Sequence, residues 1–387
     1  MSLTLLSIAC LPGALAAVLE LPVRLQGGYP MVEVEVGTPA VSHSLLFDTG
    51  SSTTWMFTSE CLNTTRCNNF SGYNRTGYDA ASSSTSKAMG TSTSITYLGG
   101  GVSGDGVEDT FSLPLTPNTT WTQSFLASNQ SSWSNIPADG FLGLAFSTIA
   151  DANTTTIVET LMQEGLLDEP RFGLYYGTEL EDTNGPGNGT LTFGGSHEDV
   201  YVDGDMKWAS LAAPDDTAQL WRVNMQYLVG TKADNTTSGS TKTTLPLSGS
   251  WGVFDTGAGR ISVPDPLIEG IYESIGMNYT AIIAHEVIPL CEDFTDEWSI
   301  DLSFGDSYSP TIITLTGEML KNPGFATGED KYCWPPFDPS GSSGLFLFGG
   351  NFLQLFYSVY DFGGFTPADY KARIGFGQLK DQYKATL

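Results

Sequence analysis

Basic residues are scarce in this sequence: 16 Lys plus Arg stand against 43 Asp plus Glu, a formal net charge of −27 over 387 residues. Nucleic-acid binding needs a basic footprint to neutralise phosphates, so that class is excluded. Histidine is rarer still. His43, His197 and His285 are the only three, each in ordinary surroundings. No Gly-x-Ser-x-Gly elbow, His-Glu-x-x-His helix or paired Cys-x-x-Cys motif occurs. Serine-hydrolase and zinc chemistries are therefore disfavoured, and no metal or cofactor is expected. Gly99-Gly100-Gly101 is not followed by the Lys that a phosphate loop requires.

Long apolar runs are also missing, apart from residues 1–17, which are too few to span a bilayer and end in Ala14, Ala16 and Ala17. That stretch reads as a signal peptide, although it lacks a basic start. The last residues, 380–387, offer no hydrophobic tail, so no membrane anchor is expected. Cysteines number five, and Cys10 falls inside the signal. The remaining four can pair in three ways, in keeping with an oxidising compartment. Sequons occur at Asn63, Asn69, Asn74, Asn118, Asn129, Asn153, Asn188, Asn235 and Asn278. Nine in polar, loop-like settings favour a glycosylated, secreted protein. A surplus of carboxylates suits work in acid, where protonation removes their mutual repulsion.

What is present points to an all-β chain. Apolar strand-like runs recur about every ten residues between Gly, Asn, Ser and Thr. Helices are expected to be few and short, at 155–164 and 264–275. The length exceeds what one core usually supports, so two lobes are expected. A repeat supports this. Leu45-Leu46-Phe47-Asp48-Thr49-Gly50 is matched 207 positions later by Gly252-Val253-Phe254-Asp255-Thr256-Gly257. Phe141-Leu142-Gly143 follows the first Asp by 93 positions, and Leu347-Phe348-Gly349 follows the second by 92. Same order and nearly the same spacing indicate an internal duplication, with one carboxylate per copy.

On these motifs the chain resembles the pepsin-like aspartic proteases. The resemblance covers nearly everything after the first twenty or so residues, including Phe193-Gly194-Gly195. It implies a bilobal, double-ψ β-barrel acid protease fold, with an N-terminal lobe over 18–197 and a C-terminal lobe over 198–387. It implies Asp48 and Asp255 as the catalytic pair, acting through water on polypeptide substrates, in a secreted or vacuolar, monomeric enzyme. Thr49, Gly50, Ser51, Thr256 and Gly257 are implied to support the pair. Residues 94–104 look like the flap hairpin, with Tyr97 and Gly99 over the cleft and Trp55 ordering Tyr97. Phe125 and Phe141 are expected as walls for a large apolar residue beside the cleaved bond. The resemblance also favours Cys61–Cys67 and Cys291–Cys333 as the disulfides. Two departures stand out: Ala258 and Gly259 replace the usual hydroxyl pair, and Leu98 replaces a flap glycine. A basic propeptide, usual in this family, has no counterpart before Asp48. A catalytically silent binding protein of the same fold is the alternative, and intact Asp-Thr-Gly motifs argue against it.

Overall fold

The computed structural model describes residues 16–179, 187–212, 219–233 and 239–384. The expected signal peptide, apart from Ala16 and Ala17, lies outside them, as do Cys10 and the Asn235 sequon.

The chain folds as a two-lobed, mostly β protein with short helices. Strand Tyr29–Val36 shows why. Val32, Val34 and Val36 are buried, while Glu33 and Glu35 between them point outward. Branched side chains on every second residue fit a pleated strand with one buried face. A tight turn at Gly37, with φ of 89°, returns the chain to strand Val41–Asp48. That strand lies between Tyr29–Val36 and Gly140–Gly143, so Leu45, Leu46 and Phe47 are buried in succession. A strand covered on both faces reads as a continuous apolar run.

The repeat seen in the sequence is a repeat of topology. Strand Val41–Asp48 pairs in parallel with Gly140–Gly143, and Trp251–Phe254 pairs in parallel with Leu345–Phe348. Asp48 lies opposite Gly143, and Phe254 opposite Phe348. Each triplet glycine is fixed by close approach. A side chain on Gly143 would strike the backbone of Ser52, and one on Gly349 the backbone of Ala258. Both motif loops therefore thread tightly over the partner strand.

Between the lobes runs a sheet drawn from both halves, in the order Val202–Ser210, Arg373–Leu379, Phe356–Asp361, Arg171–Tyr175, Gly189–Phe193, Leu19–Gln26. Trp221 seals its upper face, packed among Phe146, Phe172, Tyr360 and Phe362, and its Nε1 donates to Leu144 O at 2.8 Å. Burying each such aromatic contributes roughly 1.5–3 kcal/mol. The two expected helices form as Ile157–Gln163 and as Ile268–Ser274, the latter led by a 3₁₀ turn at Asp265–Leu267. Disulfides join Cys61 to Cys67 and Cys291 to Cys333.

Candidate active site

Asp48 ends its strand, and the chain then turns sharply so that the following groups fold back on its carboxylate. Gly50 N donates to Asp48 Oδ1 at 2.8 Å, and Ser51 Oγ donates to Oδ2. In the second loop Gly257 N donates to Asp255 Oδ1, again at 2.8 Å. The outer oxygen of Asp255 has no hydroxyl corresponding to Ser51, because residue 258 is alanine.

The two loops are tied by a reciprocal grip. Thr49 N donates to Thr256 Oγ1 and Thr256 N to Thr49 Oγ1, each at 3.0 Å. Each hydroxyl passes the bond on, Thr49 Oγ1 to Phe254 O and Thr256 Oγ1 to Phe47 O. All four groups are buried, where an unmade bond is costly. The grip brings the carboxyl groups of Asp48 and Asp255 into mutual hydrogen-bonding contact. A side chain on Gly50 would strike the Asp255 carboxyl, and one on Gly257 would stand 2.6 Å from Asp48 Oδ1. Only glycine at both positions lets the acids meet.

Electrostatics follow from this contact. Asp255 is held well above the ordinary carboxyl range, first by desolvation, then by the Asp48 charge and the hydrogen bond between the two. Gly257 N–H and Ala258 N–H pull the other way. Two carboxyls this close share one proton over a broad range of pH, because ionising both is expensive. A bound water between them can lose a proton to the charged member while the other donates to a carbonyl.

Above the pair, Tyr97 leads into a hairpin closed by Tyr97 N donating to Gly100 O at 2.7 Å. Its ring packs on Phe141 and Trp133, with centroids 5.7 and 6.0 Å away. Phe141 also stacks on Trp55 at 4.9 Å. The Tyr97 hydroxyl faces Trp55 and Ser51, but neither it nor Trp55 Nε1 completes a hydrogen bond. Burial, followed by the Asp48 charge, holds the Tyr97 phenol above its usual value.

Phe125 is not part of this wall. It is fully buried in the lobe core, edge-on to Tyr78 at 4.9 Å and beside Phe111. Residue 125 lies on an inward-facing position of strand Thr116–Ser131, so its side chain fills the barrel instead of the cleft. The aromatic that meets Tyr97 and Phe141 is Trp133, in the polar loop after that strand. Sequence reasoning missed it. The one signal was a lone Trp among Ser and Asn. Among the other expectations, Asn63, Asn69, Asn74, Asn118, Asn153, Asn188 and Asn278 are exposed and Asn129 is half-buried. An apolar cavity of about 320 Å³ between Trp334, Pro335, Leu355 and Leu379 lies in the second lobe, and neither motif loop lines it.

Two lobes that each contribute one Asp-Thr-Gly loop, the two loops tied through their threonines, define an aspartic-type endopeptidase. The chain belongs to the family described as eukaryotic aspartyl protease, whose pattern matches residues 29–369. It is 26% identical over 343 residues to a gastricsin of Macaca fuscata fuscata, covering 85% of this chain and 80% of the relative. Human gastricsin is also 26% identical, over 354 residues, covering 87% of this chain and 80% of that protein. A probable vacuolar protease A of Arthroderma benhamiae is 27% identical over 359 residues, covering 88% and 78%.

Proposed function

We propose that Asp48 and Asp255 are the catalytic pair, and that they hydrolyse peptide bonds in acid through a water held between them. The observation that carries this is their mutual contact at the junction of the two threonine-tied loops. Asp48 accepts hydrogen bonds from Gly50 N and Ser51 Oγ, which fix its carboxyl in place facing Asp255. Asp255, crowded and facing the Asp48 charge, has the environment that favours the protonated form. The first then takes the proton from water, and the second donates to the substrate carbonyl. No covalent intermediate is needed.

Substrate enters as an extended strand beneath the flap at 94–104, with Tyr97 closing over it and excluding water. The aromatic wall of Tyr97, Phe141 and Trp133 supports a preference for large apolar residues beside the cleaved bond. Residues 18–197 and 198–387 serve as the two lobes, linked through the short helix Glu198–Tyr201. The exposed sequons and the two disulfides support a glycosylated protein outside the cytosol. It is either secreted or vacuolar, the latter in line with the relative named as a vacuolar protease. Among the described residues no helix is long and apolar enough to cross a membrane.

Casein hydrolysis across pH 2–7 tests the reading. Asp48→Asn and Asp255→Asn should each lower kcat by on the order of 10²–10⁴-fold or more while the fold melts normally. Unchanged turnover in either variant refutes it. Ala258→Thr adds a donor to Asp255, favours its charged form and lowers its pKa. The alkaline limb of the kcat/KM profile should then move toward acid, and an unmoved limb removes Asp255 as the proton carrier.

A further inference from the structure

We propose that Trp133 is the platform on which the flap hairpin docks, and that Gly99 and Gly100 are glycines because of its indole. The functional side of this proposal rests on reading residues 94–104 as the flap. Neither glycine adopts a positive φ, so turn geometry alone demands glycine at neither position. The constraint comes from the ring. A Cβ on Gly99 would lie 2.6 Å from Trp133 Cη2, and one on Gly100 would lie 3.0 Å from both Cδ2 and Cε2. With a side chain at residue 99, either the indole or the hairpin must move.

The backbone beside the ring is also joined to the flap. Gly101 N donates to Ser132 Oγ at 2.8 Å, and Ser132 N donates to Gly101 O at 3.0 Å. On its other side Trp133 is anchored by a buried cation. The Arg75 guanidinium donates to Trp133 O at 2.9 Å, to Ile136 O at 3.1 Å and to Asn68 O at 3.1 Å, and lies over the Phe57 ring at 4.2 Å. A chain of contacts therefore runs from the arginine through the loop at 131–138 to the tip of the hairpin. Leu98, 86% exposed, takes no part in it. The docked hairpin holds Tyr97 against Phe141 before any peptide arrives, so the pocket wall is preorganised. Trp133 is thus a positioning residue for Tyr97 and a wall of the same pocket.

Amide hydrogen exchange at Tyr97 and Gly101, whose N–H groups close the hairpin and join it to Ser132, tests the docking in the substrate-free protein without using catalysis. Trp133→Leu should speed exchange there by up to about 10-fold, the worth of a lost aromatic contact, and Trp133→Phe by less. Gly99→Ala should speed it too, which covers the case in which Trp133→Leu folds poorly. In peptide hydrolysis, Gly99→Ala should lower kcat/KM by on the order of 10–100-fold, as expected for a displaced closing element. The Trp133→Leu/Gly99→Ala double variant should recover part of that loss, because the obstructing ring is gone. Unchanged exchange in both single variants overturns the docking, and so does a Gly99→Ala penalty of equal size in both backgrounds. Failure of the protease reading would appear separately, as absence of cleavage by the unaltered protein while exchange still responds.

Discussion

Replacing His43 by glutamine should make the fold more stable at pH 4 relative to pH 6.5, by about 3 kcal/mol compared with the unaltered protein. His43 and Asp139 are both almost fully buried, with Nδ1 and Oδ2 3.9 Å apart. Desolvation lowers His43 to about 4, against a smaller raising effect from the Thr76 backbone. Desolvation also raises Asp139 to about 6, outweighing its bonds from Ser44 N, Thr76 N and Tyr73 and the nearby Arg75 charge. The two titrations oppose each other. Between pH 6.5 and 4 the unfolded chain protonates His43 and the folded protein does not, so that histidine costs stability as pH falls. Between about pH 6 and 3.8 the folded protein holds a proton on Asp139 that the unfolded chain releases, so that carboxyl adds stability as pH falls. At about 1.36 kcal/mol for each tenfold change in proton affinity, moving His43 from 6.5 to about 4 and Asp139 from 3.8 to about 6 is worth roughly 3 kcal/mol in each case, with opposite sign. Removing His43 removes one side of the balance. Urea unfolding at pH 4, 5 and 6.5, with Asp48→Asn present to prevent self-digestion, measures the difference directly. A gap between His43→Gln and its parent that stays constant across these pH values refutes the argument.

Thr256→Ala removes one side of the reciprocal grip and leaves Thr49 N and Phe47 O buried without partners. The expected cost is about 2–4 kcal/mol, read by calorimetry, with a fall in kcat that Thr256→Ser restores. The double Thr49→Ala/Thr256→Ala variant should cost less than the sum of the singles, because losing either hydroxyl already loosens the loop contact that the other one braces. Phe125→Leu and Phe141→Leu should separate core from cleft. The first lowers the melting temperature and leaves substrate preference unchanged. The second changes the ratio of cleavage after Phe to cleavage after Leu.

Much of the site was legible because chemistry was written twice. Asp-Thr-Gly at 48 and 255, with the apolar-apolar-Gly triplets at fixed spacing, marked two loops that must thread over parallel strands. Local rules sufficed there, because the carboxylate, the hydroxyl and the glycine lie within three residues of one another. Pocket walls were harder. Phe125 and Trp133 are eight residues apart; residues 123–128 are buried without a break, so no alternation separates a core phenylalanine from an aromatic that meets Tyr97 and Phe141. No composition signal marks the difference. Contacts between the halves were equally hidden. The hydroxyl of buried Tyr176 donates to Thr256 O at 3.3 Å, and that of Tyr370 donates to Glu159 Oε1 at 2.7 Å. Each joins residues far apart in sequence through a sheet whose strand order cannot be read from periodicity.

That sheet has a consequence for biosynthesis. Strand Arg171–Tyr175 has Gly189–Phe193 on one side, but its other neighbour is Phe356–Asp361. The intervening chain takes roughly 10–40 s to emerge at ordinary translation speeds, and through that interval one border offers unpaired amides and carbonyls. An early half-molecule is therefore an adhesive intermediate, and variants that truncate the chain before residue 356 should accumulate as aggregates rather than as free-standing first lobes.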